Sequence, residues 1–178
     1  HNPAQPLKKK DMGIGISQRN RVLEPNEIKL FWDALENTPR LTVQSRTGLQ
    51  LLLLLGLRSG ELRHIKWTDV DLDKGLLTIP IENQKLSPEQ AKTGRPFKVP
   101  LDDIAIELIQ GLEEFNSEWL FPGLGGHRPI SETTMGKVIS NLLAREVDGK
   151  RVLPVEKFTP HDLRRTMRSN LSKLGIQP

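Results

Sequence analysis

Five consecutive leucines at positions 51–55 constrain this chain more than any other feature; they lie within LQLLLLLGLRSGELRHIKW, residues 49–67. A helix with no polar face must be enclosed on all sides, so the pattern predicts the central helix of a domain over residues 42–55, stopped by Gly56. Arg58, Ser59, Gly60 and Glu61 follow at once, which mounts an arginine at the end of a buried, rigid element. Ser59 is expected to cap a second helix running to Trp67. Glu61 would stand in its first turn, where a carboxylate favours the positive end of the helix dipole.

A second stretch, Thr159-Pro160-His161-Asp162-Leu163-Arg164-Arg165-Thr166, carries the marks of a helix start: a threonine N-cap, proline at the first helical position and an aspartate three residues after the cap. His161 and Arg164 are one turn apart, so imidazole and guanidinium can share a ligand beside backbone N–H groups that favour an anion. Arg58 with Glu61 three residues on would, by itself, be an ordinary helix ion pair. Joined to His161 and Arg164, it points to phosphate.

Gly56-Leu57-Arg58-Ser59-Gly60-Glu61-Leu62 and His161-Asp162-Leu163-Arg164-Arg165-Thr166 resemble the two arginine boxes of tyrosine recombinases, and of prophage-type integrases in particular. Residues 76–81, Ala91-Lys92-Thr93-Gly94 and Val99-Pro100-Leu101 resemble that family's lysine-bearing hairpin, and Trp119-Leu120-Phe121-Pro122 fits as well. The resemblance spans residues 22–178 and includes order and spacing. It implies a mostly α-helical catalytic domain with a small antiparallel β-sheet over residues 21–178, acting on double-stranded DNA at attachment sites through a 3′-phosphotyrosyl intermediate. In that chemistry Arg58 and Arg164 clamp the non-bridging oxygens of the transferring phosphodiester, where charge builds up. Glu61 orients Arg58, since a carboxylate beside the phosphate would repel it. Lys92 is the candidate general acid toward the departing 5′ oxygen, with Lys85 and Lys98 as competitors. His161 would hydrogen-bond the phosphate or assist proton movement, although a first-turn histidine can equally be a capping residue. Arg165, Arg168 and Lys173 are candidates for the DNA backbone, Arg165 alternatively for a salt bridge. No cofactor and no metal are implied, because the phosphodiester energy is kept in the covalent intermediate.

The chain contains no tyrosine, and residues 174–178 stand where family members continue toward a further His or Trp and the nucleophile. The expectation is therefore a chain truncated before its tyrosine, monomeric and unable to cleave, whose full-length form is tetrameric on paired DNA sites. A type IB topoisomerase-like enzyme and a non-catalytic DNA-binding protein that kept the fold are the alternatives. With 178 residues, one domain with a sizeable core is expected. A net charge of +4 permits a nucleic-acid partner without requiring one. The absence of cysteine excludes disulfides, thiolate zinc sites and cysteine nucleophiles. The leucine run is too short to span a bilayer and no secretory signal opens the chain, so a cytoplasmic protein of a bacterial host is expected, with no membrane partner.

Residues 1–20, including Lys8, Lys9 and Lys10, read as a linker. A first helix starts at Glu24-Pro25 with Ile28, Phe31, Trp32 and Leu35 on one face. Residues 69–75 read as a plain turn, residues 76–81 and 97–101 as a hairpin, and residues 82–95 as a long mobile loop carrying Lys92. Asp102 or Asp103 would cap a helix to about residue 115, Ser131 another to about Arg145, and residues 148–157 would form a loop. Gly123-Leu124-Gly125-Gly126-His127 lacks the ending of a nucleotide P-loop and is assigned no ligand.

Overall fold

The computed structural model describes residues 21–112 and 117–176. The linker expected over residues 1–20 lies outside them. Helix α1 (Pro25–Asn37) begins with proline, and the Glu27 carboxylate accepts the Glu24 N–H at 2.9 Å. It buries Phe31, Ala34 and Leu35; Trp32 is only partly covered. Helix α2 (Val43–Leu55) is capped by Thr42, whose hydroxyl oxygen accepts from the Ser45 N–H at 3.3 Å. It packs against α1 and against four helices that come later in the chain, so the molecule is built around it. Leu51, Leu52 and Leu53 are buried as expected, whereas Leu54 and Leu55 are half-buried because they line a surface groove.

The second helix is shorter than its sequence suggested. Helix α3 (Ser59–Arg63) has Arg58, not Ser59, in the N-cap position, and it ends at His64. Trp67 instead opens a 3-10 turn whose cap is tied by the Asp69 carboxylate to the Lys66 N–H, 2.9 Å. Strands β1 (Val70–Asp71) and β2 (Leu76–Ile79) then run antiparallel across the turn. The connection expected as an open loop contains helix α4 (Pro88–Thr93), opened by Ser87 and Gln90, which bond each other's backbone N–H groups. Strand β3 (Phe97–Pro100) completes a three-stranded sheet of order β1-β2-β3, with Leu77 opposite Val99 and both facing the core.

Asp102 caps helix α5 (Asp103–Gln110), which stops before residue 115; residues 113–116 lie outside the described ones. Helix α6 (Thr134–Ala144) starts after Thr133, and Ser131 contributes a backbone carbonyl in place of the expected side-chain cap. The expected loop after it holds a second hairpin, β4 (Glu146–Val147) with β5 (Lys150–Arg151). Its two turn residues, Asp148 and Gly149, both have positive φ, 50° and 73°, the backbone that an Asp-Gly hairpin turn requires. Helix α7 (Pro160–Lys173) returns to lie along α2. The fold is mostly helical with small antiparallel sheets. Among the described residues no helix is long and apolar enough to cross a membrane.

Candidate active site

Gly56 turns the chain off α2 with φ 60° and ψ 29°, a left-handed conformation that leaves its carbonyl free of the helix. Leu57 is buried, and Arg58 follows it at the start of α3. Glu61, only 6% exposed, accepts the Arg58 backbone N–H on Oε2 at 2.8 Å and the Arg58 guanidinium on Oε1. One carboxylate thus fixes both ends of the arginine. The Arg58 side chain remains 43% exposed, so part of its donor fork faces outward.

At the start of α7, the buried Asp162 accepts the Thr159 N–H at 2.9 Å and its hydroxyl at 2.7 Å, and pairs with Arg165 at 3.7 Å. This fixes the first turn and therefore the directions of His161 and Arg164. Arg164 donates to the Gly56 carbonyl, 108 residues away in sequence, and its Nη1 lies 3.8 Å from Glu61 Oε2. The two arginine boxes therefore meet around a single carboxylate and a single glycine. A Cβ on Gly56 would lie 2.7 Å from Met167 Sδ, so α7 approaches to glycine distance.

Burial leads the electrostatics of this cluster, and the crowding of cations adds to it. Burial, then the Arg58 charge, lowers the pKa of Arg164, with Glu61 opposing. For His161 the largest cause is again loss of water contact; Arg165 adds to the lowering, Asp162 opposes it, and Arg164 and Arg58 reinforce it. His161, Arg164, Arg165 and Arg168 line one cleft of about 410 Å3 together with Val22 and Ser169. A cleft so furnished favours an anion, and guanidinium forks match the paired oxygens of a phosphate.

Arg58, Glu61, His161 and Arg164 are thus brought together. Lys92 is not among them: it is exposed in the last turn of α4, and no hydrogen bond or ion pair joins it to the cluster. Lys98, on β3, lines a neighbouring groove with Arg164 and Arg168, while Lys85 and Lys173 are exposed elsewhere. Arg165 both pairs with Asp162 and faces the cleft, and Arg168 borders both cavities. Sequence reasoning missed Val22 as a wall, the Gly56 carbonyl as an arginine acceptor, and the buried Thr166 hydroxyl, which accepts the Leu23 N–H at 2.9 Å. Gly56 carried a signal, since a glycine between a leucine run and an arginine marks a helix stop. The other two depend on contacts between distant segments.

The phage integrase family matches residues 21–178. The chain belongs to that family. Among curated relatives of this integrase-family chain, the prophage integrase IntZ of Escherichia coli K12 is 33% identical over 121 residues, 66% of this chain and 27% of IntZ. The integrase of Enterobacteria phage P4 is 30% identical over 141 residues, 75% of this chain and 30% of that protein. The chain thus spans about a third of the length of such relatives. Of solved structures, the Tn1549 transposon integrase in complex with circular intermediate DNA is similar with TM-score 0.74 at 17% identity, covering 97% of this chain and 61% of that one. A lambda integrase tetramer bound to a Holliday junction is similar with TM-score 0.59 at 21% identity, covering 86% and 43%. At these identities the structures establish a shared fold, which this integrase-family chain carries over its described residues.

Proposed function

We propose that this chain is the catalytic region of a site-specific recombinase of prophage or mobile-element type, which cuts and rejoins duplex DNA without metal or ATP. The observation that carries it is the meeting of Arg58 and Arg164 at Glu61, beside His161. In the reaction Arg58 and Arg164 hold the two non-bridging oxygens and stabilise the charge that develops there. Glu61 keeps both guanidiniums in place, and His161 hydrogen-bonds the phosphate or moves a proton at the nucleophile. Lys92 protonates the leaving 5′ oxygen once DNA draws its hairpin toward the cleft, because catalytic contacts commonly tighten only in the complex. The nucleophile is a tyrosine that is not among these 178 residues. The Tn1549 and lambda integrases were solved on DNA, the latter as a tetramer, and the same partner and a tetramer on paired sites are proposed for the whole protein.

The absence of tyrosine also favours a second reading, a DNA-binding protein that kept the clamp without the chemistry. The test uses protein made from the whole reading frame that contains these residues, incubated with a nicked duplex carrying its attachment site and run on a denaturing gel. A covalent 3′ adduct is expected, lost in Arg58→Ala and Arg164→Ala. No adduct on its own site would leave the binding-protein reading standing. Relaxation of any supercoiled plasmid without joining of defined sites would make the enzyme a type IB topoisomerase.

A further inference from the structure

The cleft has one wall that does not come from α7. Val22 lies on the segment that enters the fold just before α1, yet it lines the cleft with His161, Arg164 and Arg168. That segment is fastened on both sides. Arg21 pairs with Glu27 on α1 and lies 3.8 Å from Glu156, which precedes α7. Leu23 is 2% exposed, and its N–H is satisfied by the side chain of Thr166, the fully buried residue two positions after Arg164. The same hydroxyl donates to the Asp162 carbonyl at 2.8 Å. Asp162 in turn holds Thr159 and Arg165. A continuous set of bonds therefore runs from the incoming chain, through one threonine, to the turn that aims His161 and Arg164.

We propose that Thr166 is a positioning residue: its hydroxyl holds the incoming Arg21–Leu23 segment against α7, so that Val22 forms a water-excluding wall of the oxyanion cleft. The proposal rests on the reading of that cleft as the phosphate site. An apolar wall raises the strength of every charge interaction beside it, so the segment contributes to anion affinity without touching the anion by a polar group.

The test is made on the 178-residue chain with sulfate as the probe, using residue-resolved amide exchange and the His161 ring resonances. Thr166→Val keeps the shape and removes the hydroxyl. It is expected to speed exchange of the Leu23 amide by about tenfold or more, the effect of one lost buried hydrogen bond, and to weaken sulfate binding several-fold. Thr166→Ser is expected to restore both. Val22→Ala should leave the Leu23 amide protected and still weaken sulfate, and Thr166→Ala, read in the same way, takes the place of Thr166→Val if that variant does not fold. A Leu23 amide that stays protected in Thr166→Val, or sulfate affinity unchanged in Val22→Ala, would overturn the proposal. Arg164→Ala separates the two levels: if it binds sulfate as tightly as the parent chain, the anion cleft itself is wrong and the wall has nothing to serve.

Discussion

Gly56 and His161 set the two sharpest expectations for single residues. Gly56 combines φ 60° with a Met167 sulfur where a Cβ would go, so Gly56→Ala must adopt a strained backbone and displace a side chain of α7. A loss of about 1–3 kcal/mol in urea unfolding is expected, together with weaker sulfate binding because the carbonyl that receives Arg164 moves. For His161 the sign follows from its environment. Burial and the neighbouring arginines hold its folded-state pKa below the ordinary value, so the neutral ring is favoured and its contribution to stability is complete above the unfolded value. That contribution starts to be lost at the unfolded value and is gone once pH has fallen through the lower folded-state pKa. A bound anion reverses the preference and raises the pKa, so sulfate binding takes up a proton. Sulfate affinity should be low and flat at high pH, rise as pH drops through the His161 pKa of the complex, and level off below that of the free protein. Calorimetric titration across pH checks this, and His161→Ala should give a flat profile.

At the scale of elements, α2 is the part on which everything else is assembled. Leu52 is fully buried on it, and Leu52→Ala should cost about 2–5 kcal/mol, read from denaturant unfolding, while leaving the arrangement of the arginines untouched in whatever fraction stays folded. The sequence reading reached this helix because an all-leucine face has no other solution, and it reached α7 because Thr159, Pro160 and Asp162 are local signals. It failed where the signal was short or tertiary. The start of α3 is set by Glu61 reaching back to the Arg58 N–H, which favoured Arg58 over the better-capping Ser59. The hairpin of β4 and β5 announces itself only by Asp148-Gly149. Arg58, Glu61, His161 and Arg164 were legible through their motifs, but Val22 and Thr166 were not, because neither has a chemistry that stands out until the fold places it.

On the scale of the whole molecule, binding of DNA by this chain should be weak, independent of sequence and governed by salt. On the proposed reading Arg58, Arg164, Arg165, Arg168 and Lys173 offer charge to backbone phosphates, and the logarithm of affinity should fall linearly with the logarithm of salt concentration, by roughly 0.9 for each phosphate neutralised. Arg164→Ala should lower that slope by about one, measured by fluorescence anisotropy on unrelated duplexes. A slope near zero would remove the backbone contacts assigned to these residues. The hydrogen bond from Arg164 to Gly56 has a last consequence, one for folding. It closes a loop of 108 residues, and contacts of that range form only after the intervening chain has organised. A molecule in which that contact has not formed has no clamp, so sulfate should bind, and stabilise, the native state alone. On the proposed reading, the anion site and the native topology are then acquired in the same step, and an incompletely folded chain would have no means of gripping a phosphate.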